Sequence, residues 1–382
     1  MVKRIIKCPK TSFFLLGPRG TGKSTWLHAR FKKNTYFIDL LDESLYQEYL
    51  RDISLFSAEL EPLKPGTWVC IDEIQRLPSL LNEVHRLIER KKLLFVLTGS
   101  SARKLRRGGV NLLGGRAAKK LMYPFVPEEL GRNRFNLLET LQFGTLPLVW
   151  ASEDKNETLR AYVQMYFKEE IQSEAIVRNL PAFSRFLPVA GLFHGQILNT
   201  TTLARDAGVA RTTVNGYLDI LEDTLIAYRL HAFSGNLRSR ERKHPKLYWI
   251  DPGIVRAVKN QYGPVAIEEK GFLFEGWISM LLRFYGEHFQ LFDDIYYWAP
   301  AESKNIEVDF LLQRGRQFIA IEVKAAERMR PEYLRGLKAI APLKGVKRRI
   351  LIYTGKKILK TPDSIEIIPL ENFLKLLEDN EL

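Results

Sequence analysis

The sequence predicts an α/β protein built in consecutive parts: a phosphate-loop parallel sheet, a helical middle containing a helix-turn-helix, and a second α/β unit. Three observations carry this. GPRGTGKST at residues 17–25 stands between an apolar run and a helical stretch. Two helical segments, residues 202–207 and 211–222, flank Gly208. Two strand-like runs, 306–313 and 317–325, carry Asp309, Glu322 and Lys324.

The first element is the apolar run SFFLL, residues 12–16, followed by the glycine-rich turn and by WLHARF. Strand, turn and helix in that order are the setting a phosphate loop requires. Gly17, Gly22, Lys23 and Ser24 fill the G-x-x-x-x-G-K-[ST] spacing, with Pro18, Arg19, Gly20 and Thr21 between them and Thr25 after. Glycines let successive backbone N–H groups converge on phosphate oxygens at a helix N-terminus. Lys23 is expected to reach the β- and γ-phosphates of ATP, and Ser24 to ligate Mg²⁺.

A second strand is expected over 34–40, then one helical stretch through ESLYQEYLRDISLFSAELEPL. TWVCIDEIQRL follows, with a buried strand at 68–71 ending in Asp72 and Glu73. Asp72 suits Mg²⁺ coordination, and Glu73 suits polarising an attacking water. Residues 79–91 read as a helix capped by Ser79, and KLLFVLTGSS as a further buried strand. Two readings stand for Thr98 and Ser100 at its end: sensors of the γ-phosphate, or turn residues that cap the strand.

GPRGTGKST, CIDEIQR and LTGSSARKL, then GGRA and YPFVPEEL, resemble the AAA+ ATPases when taken in this order. The match is to the prokaryotic group whose nucleotide domain precedes a winged helix and a PD-(D/E)xK nuclease-like domain. The resemblance implies an arginine finger or sensor at Arg116, with Arg103 in the nearby basic run the other choice. It implies an oligomer if that arginine acts on a neighbouring subunit. A structural arginine is the alternative reading.

From residue 136 the pattern is helical, broken by FGTLPLVW, and LRAYVQMYFKEEIQSEAIV is amphipathic, as a lid over the nucleotide would be. Arg211, Thr212, Thr213 and Asn215 begin the second helix of the helix-turn-helix, where side chains reach phosphates and base edges. GNLRSRERKHPKLYWID, with four Arg and Lys between 238 and 243, reads as a basic wing. Packing against a protein partner is the competing reading of such a module.

In the last part, Glu275 lies alone among apolar neighbours in KGFLFEGWISMLLRFYG. A two-residue turn at Arg314 and Gly315 would pair Asp309 with Ala320. Asp309 would then share one face with Glu322 and Lys324, one diagonal step away. Asp309 and Glu322, completed by Glu275, suit a Mg²⁺ ion, and Lys324 suits orienting water for phosphodiester hydrolysis. This helix acid, strand aspartate and E-x-K resemble the PD-(D/E)xK superfamily, without a proline before Asp309. Solvent-facing edge-strand charges, or a retained fold used only for binding, are the other readings.

The expected domains are 1–131 (AAA+-like ATPase), 132–190 (helical lid), 191–250 (winged helix) and 251–382 (α/β, restriction-endonuclease-like). Fifty-eight Lys and Arg against 44 Asp and Glu give a formal charge of +14, which favours a polyanion, with DNA the expected partner ahead of a membrane surface. Two cysteines, Cys8 and Cys70, make no disulfide framework, so a reducing cytoplasm is expected. No apolar run approaches about 20 residues, so no membrane span is expected.

Overall fold

The computed structural model describes residues 2–31, 35–101, 115–131, 133–166, 180–234, 244–300 and 306–382. The first sheet contains β1 (Phe13–Leu16), β2 (Thr35–Asp39), β3 (Trp68–Asp72), β4 (Leu94–Gly99) and β5 (Ala118–Leu121). All five are parallel, in the order β2-β3-β4-β1-β5. FFLL of β1 is buried at every position, as a central strand covered on both faces must be. The single helix expected after β2 is two, α1 of that pair being Glu43–Arg51 and the next Ile53–Leu60. Asp52 breaks it: its backbone is extended and its side chain accepts from Ser54 N, a cap that starts the second helix. Ser79 precedes the helix Leu80–Lys91 but makes no side-chain cap.

The middle is helical, with Leu137–Phe143, Pro147–Trp150 and Lys155–Ala161 running into a π-turn at Tyr162–Tyr166. After Leu180–Leu192, the helices Thr200–Ala207 and Arg211–Asp223 meet at Gly208, whose φ of 64° ends the first. The first helix begins two residues earlier than the sequence suggests because Asn199 accepts from Thr201 N and Thr202 N, both at 3.1 Å. These helices pack with a three-stranded antiparallel sheet of β6 (Gln196–Ile197), β7 (Ala227–Leu230) and β8 (Lys246–Trp249), in the order β6-β8-β7.

The last sheet is mixed, and its central hairpin is β10 (Val308–Arg314) and β11 (Gln317–Lys324). With β9 (Asp294–Trp298), β12 (Val346–Tyr353), β13 (Leu359–Lys360) and β14 (Glu366–Pro369), its order is β13-β14-β12-β11-β10-β9. The helix Ile267–Phe289 packs on one face through a core that includes Phe310, Leu312, Ile321 and Val323. Among the described residues no helix is long and apolar enough to cross a membrane.

Candidate functional site

The phosphate loop leaves the C-terminal end of β1. Gly17 donates its N–H to the Gly99 carbonyl at 3.2 Å, and a Cβ at this position would stand 2.5 Å from the Met122 carbonyl. Only glycine fits there. Gly20 and Gly22 hold φ of 75° and 83°, the left-handed region open to glycine. The Thr21 hydroxyl donates to the Pro18 carbonyl at 2.7 Å, closing the turn. Gly22 caps the helix Lys23–Arg30 without a side chain, so first-turn N–H groups stay available to an anion. Lys23 is buried, and its ammonium donates to the Gly17 and Pro18 carbonyls at 2.7 and 3.1 Å. Ser24 is half-buried and Thr25 exposed beside it.

Asp72 and Glu73 end β3, one strand removed from β1. The Thr98 hydroxyl donates to Asp72 and accepts the Glu73 N–H at 3.0 Å. Glu73 is buried with φ 58°, a conformation that carbon side chains rarely adopt and that clusters at working sites. Gln75 donates to the Glu73 carboxylate and to the Ser100 hydroxyl, the latter at 3.1 Å. Thr98 and Ser100 therefore sit among the two acids, and Gln75, which sequence reasoning missed, orients the second. The donor set of Ser24 and Asp72 is hard oxygen, which suits Mg²⁺.

Beside the loop lies a cavity of about 830 Å³ lined by Thr25, Trp26, Phe125, Leu148, Trp150 and Arg4. Its size and apolar, aromatic walls suit a nucleobase and sugar. Arg4 builds one wall: it forms an ion pair with buried Glu129 at 2.9 Å, donates to the Tyr123 carbonyl at 2.6 Å and stacks 4.8 Å over Phe125. Leu148 N donates to the Gly20 carbonyl at 3.1 Å, and Tyr162 Oη to the Arg19 carbonyl at 3.2 Å, so the middle segment closes over the loop. Apart from Thr25 in GPRGTGKST and Phe125 in YPFVPEEL, these pocket residues fall outside the motifs that carry the resemblance, and of them the sequence singled out Thr25 alone.

Arg116 does not reach this site from within the same chain. It precedes β5, whose Ala118 pairs with Phe13 at the start of β1, so it lies at the opposite end of the sheet from Gly17. There it pairs with Glu89. Arg103 and the basic run 238–243 lie outside the described residues.

In the middle, Arg211, Thr212 and Asn215 are exposed along the first turns of Arg211–Asp223, while Thr213 is half-buried. Arg211 Nε donates to the Thr200 hydroxyl at 3.2 Å.

The C-terminal acids do come together, with one correction to the register. Arg314 pairs with Gln317 and Phe310 with Ile321, so the turn is Gly315–Arg316 and Asp309 falls opposite Glu322, not Ala320. Gly315 takes φ 58° as the first turn residue, as a tight hairpin requires. The shift is two residues, so the shared face survives. The β9–β10 register breaks between Val308 and Leu311, an irregularity that re-aims Asp309. Asp309 accepts Val323 N–H at 2.9 Å, and Lys324 Nζ lies 2.5 Å from Glu322 and 3.9 Å from Asp309.

Two residues of β8 complete the cluster, and the sequence reading missed both. Lys246 and Tyr248 are two apart in a strand and so share a face. Tyr248 donates to Glu275. Lys246 Nζ lies 3.2 Å from Glu275, 3.1 Å from Glu307 and 3.5 Å from Asp309. Burial and then the Asp309 charge push the Glu275 and Glu322 carboxyls up. Burial lowers the Lys246 ammonium, but Glu275, Asp309 and Glu307 outweigh it and leave it raised. Among the described residues Glu322 Oε2 is buried without a hydrogen-bond partner. Carboxylate oxygens with one unspent acceptor fit a hard divalent ion in kind. Their spacing does not yet fit one: among the described residues no three His, Cys, Asp or Glu side chains stand close enough to share a metal.

Residues 9–131 match the model of the AAA domain family. Residues 134–263 and 270–373 match two further families, each described as a domain of unknown function. The chain is 23% identical to an uncharacterized protein of Mycobacterium tuberculosis, over 96% of this chain and 82% of that one. It is also 23% identical to an uncharacterized protein of Haemophilus influenzae, over 98% and 97%. Among solved structures it is similar to the Aeropyrum pernix ORC1 protein in complex with DNA, with TM-score 0.27, 13% identity and coverage of 67% and 87%. It is also similar to AMPPCP-bound DnaA of Aquifex aeolicus, with TM-score 0.27, 15% identity and coverage of 56% and 81%. The family match over residues 9–131, the five-stranded parallel sheet and the phosphate loop on β1 together support a place for this part of the chain in the P-loop ATPase family, as an AAA-type domain.

Proposed function

We propose that the chain is a Mg²⁺-dependent AAA+-like ATPase that uses ATP binding and hydrolysis to control its engagement with nucleic acid, DNA in the first instance. The observation that carries the ATPase reading is the closed phosphate loop with Lys23 resting on the Gly17 and Pro18 carbonyls, opposite Asp72 and Glu73. Those carbonyls hold the ammonium where phosphates arrive; on binding, Lys23 exchanges them for β- and γ-phosphate oxygens. Ser24 and Asp72 would hold a Mg²⁺ ion, which would supply charge neutralisation on the phosphates. Gln75 fixes the Glu73 carboxylate, which accepts a proton from the attacking water. Arg116, at the far end of the sheet, serves as a finger only toward a neighbouring subunit, which makes the working form an oligomer.

The nucleic-acid reading rests on the exposed Arg211, Thr212 and Asn215 at the start of a helix that follows a tight turn, with a three-stranded sheet behind it, the arrangement of a winged helix. The +14 formal charge supports the same reading. In the C-terminal unit the opposed Asp309 and Glu322, with Lys324 and Glu275, support a PD-(D/E)xK nuclease-like fold. Asp309, Glu322 and Glu275 supply the oxygen donors a divalent ion takes, at a spacing that does not accommodate one as they stand.

The test is steady-state Mg-ATP hydrolysis with and without duplex DNA, in the wild type and in Lys23→Ala. Hydrolysis lost in Lys23→Ala and altered by DNA in the wild type is expected. Undiminished turnover in the variant would remove the ATPase assignment, and turnover indifferent to DNA would leave a nucleotide-loaded protein-interaction switch.

A further inference from the structure

We propose that Lys246 is a built-in cation of the C-terminal cluster, competing with a divalent metal ion for the same carboxylate oxygens. The inference rests on the reading of that cluster as a divalent-ion site, and it adds what controls the site's occupancy.

Three carboxylates from three separate elements converge on one ammonium. Glu275 comes from the helix Ile267–Phe289, Glu307 from the residue before β10, and Asp309 from β10 itself. Their oxygens stand 3.2, 3.1 and 3.5 Å from Lys246 Nζ. A Mg²⁺ ion draws its oxygens to about 2.0–2.1 Å. An ion at that distance from the Glu275 and Asp309 oxygens that hold Lys246 would stand close to the ammonium, and like charges close together in a buried site repel strongly. The contacts to Lys246 are at ammonium distance, longer than those a metal would draw in, and among the described residues no ligand triad is formed.

The charge balance works the other way and draws an ion in. Four acids, Glu275, Glu307, Asp309 and Glu322, face two ammonium groups, Lys246 and Lys324, within bonding range. Among the described residues Glu322 Oε2 has no hydrogen-bond partner. Burial and the Asp309 charge push the Glu275 and Glu322 carboxyls up, so the acids gain from an added cation that keeps them ionised, while Lys246 stands against the oxygens it would bind.

The competitor is supplied from outside the C-terminal sheet. Lys246 opens β8 of the middle sheet and is only 1% exposed. The middle sheet meets the C-terminal sheet through Phe233 N to the Tyr297 carbonyl at 2.7 Å, Tyr297 N to the His231 carbonyl at 3.1 Å, and Tyr297 Oη to the His244 carbonyl at 2.6 Å. The seating of one sheet on the other thereby sets whether Lys246 holds the acids.

The test is a Mn²⁺ titration of the nucleotide-free full chain, followed by the paramagnetic signal of free Mn²⁺, in an Asp72→Asn background that silences the nucleotide-side ion. Lys246→Met is expected to bind one Mn²⁺ at least tenfold more tightly than the same chain with Lys246, and addition of Asp309→Asn should abolish that binding. Equal affinities with and without Lys246, both dependent on Asp309, would overturn the competition and keep the cluster as an ion site. No Asp309-dependent binding in folded Lys246→Met would overturn both. Removing one partner of buried charges destabilises, so a second readout uses the chain with Lys246 intact. Lys246 should resist amine acylation without Mn²⁺ and react in its presence. Protection unchanged by Mn²⁺ that binds through Asp309 would overturn the proposal.

Discussion

The backbone N–H of Leu148 donates to the carbonyl of Gly20 at 3.1 Å, joining the middle segment to the glycine-rich turn. With Tyr162 Oη on the Arg19 carbonyl, it fixes two successive carbonyls of the loop from one side, leaving the N–H side free for phosphate. The loop and the cavity beside it are therefore built by two family-matched regions, not by the first alone.

Tyr162→Phe should weaken ATP binding. It deletes one hydroxyl donor while keeping the ring in place, a loss of about 0.5–1.5 kcal/mol for an ordinary hydrogen bond, or roughly two- to tenfold in Kd. Titration with a fluorescent ATP analogue measures it, and an unchanged Kd would mean that the bond is not made in the nucleotide-bound protein.

Glu73→Gln should retain ATP binding and lose turnover by roughly 10²–10⁴-fold, the contribution of a positioned general base. Gln75→Ala should lower kcat by less and leave KM near the wild-type value, because it acts through the orientation of Glu73. A Gln75→Ala enzyme with wild-type kcat would remove that positioning role.

Arg211→Ala should weaken duplex DNA binding and reduce the slope of log K against log salt by about one, as loss of one phosphate contact does. Filter binding or anisotropy between low and moderate salt gives both numbers. A slope unchanged within error would reassign the exposed start of this helix to a protein partner.

His194 should make the fold acid-sensitive. Burial, and then the Lys259 charge, push its imidazole down to about 3, and its Nδ1 accepts Trp249 N–H at 3.1 Å. Between pH 6.5 and 3 the unfolded chain binds a proton that the folded chain does not. The stability His194 contributes is present above 6.5 and lost as pH falls, at up to roughly 1.4 kcal/mol per pH unit. His194→Asn, which keeps an acceptor for Trp249, should flatten the dependence of denaturant midpoint on pH in that window. Equal slopes in the two proteins would refute the assignment.

The sequence made the nucleotide site legible where its parts are contiguous. GPRGTGKST and the Asp72–Glu73 end of β3 stand out by spacing alone, and the structure sets them on parallel strands of one sheet with β4 between them. Gln75 and Tyr162 could not be read, because each works through a fold contact to a backbone or side chain that no local pattern records. The hairpin shows a different limit. Both candidate turns preserve strand parity, so the common face of Asp309, Glu322 and Lys324 was legible, while the choice of Gly315 as first turn residue depended on its positive φ. Lys246 was hidden by its surroundings, since a lysine after a run of Arg and Lys reads as solvated charge. Its alternation with Tyr248 in KLYW was the one local sign of a strand face with chemistry on it.

The helix Ile267–Phe289 spans about 34 Å at 1.5 Å per residue. Near its end Glu287 accepts Leu121 N at 2.7 Å, and His288 Nε2 meets the Leu121 carbonyl at 2.9 Å. Leu121 is followed by Met122, the residue against which Gly17 is packed. Twelve residues earlier, about 18 Å along the same rod, stands Glu275. Such a rod is stiff along its axis, so the strand that flanks the phosphate loop and the acid that holds Lys246 are anchored to one body, and any shift of β5 along that axis would be passed toward Glu275.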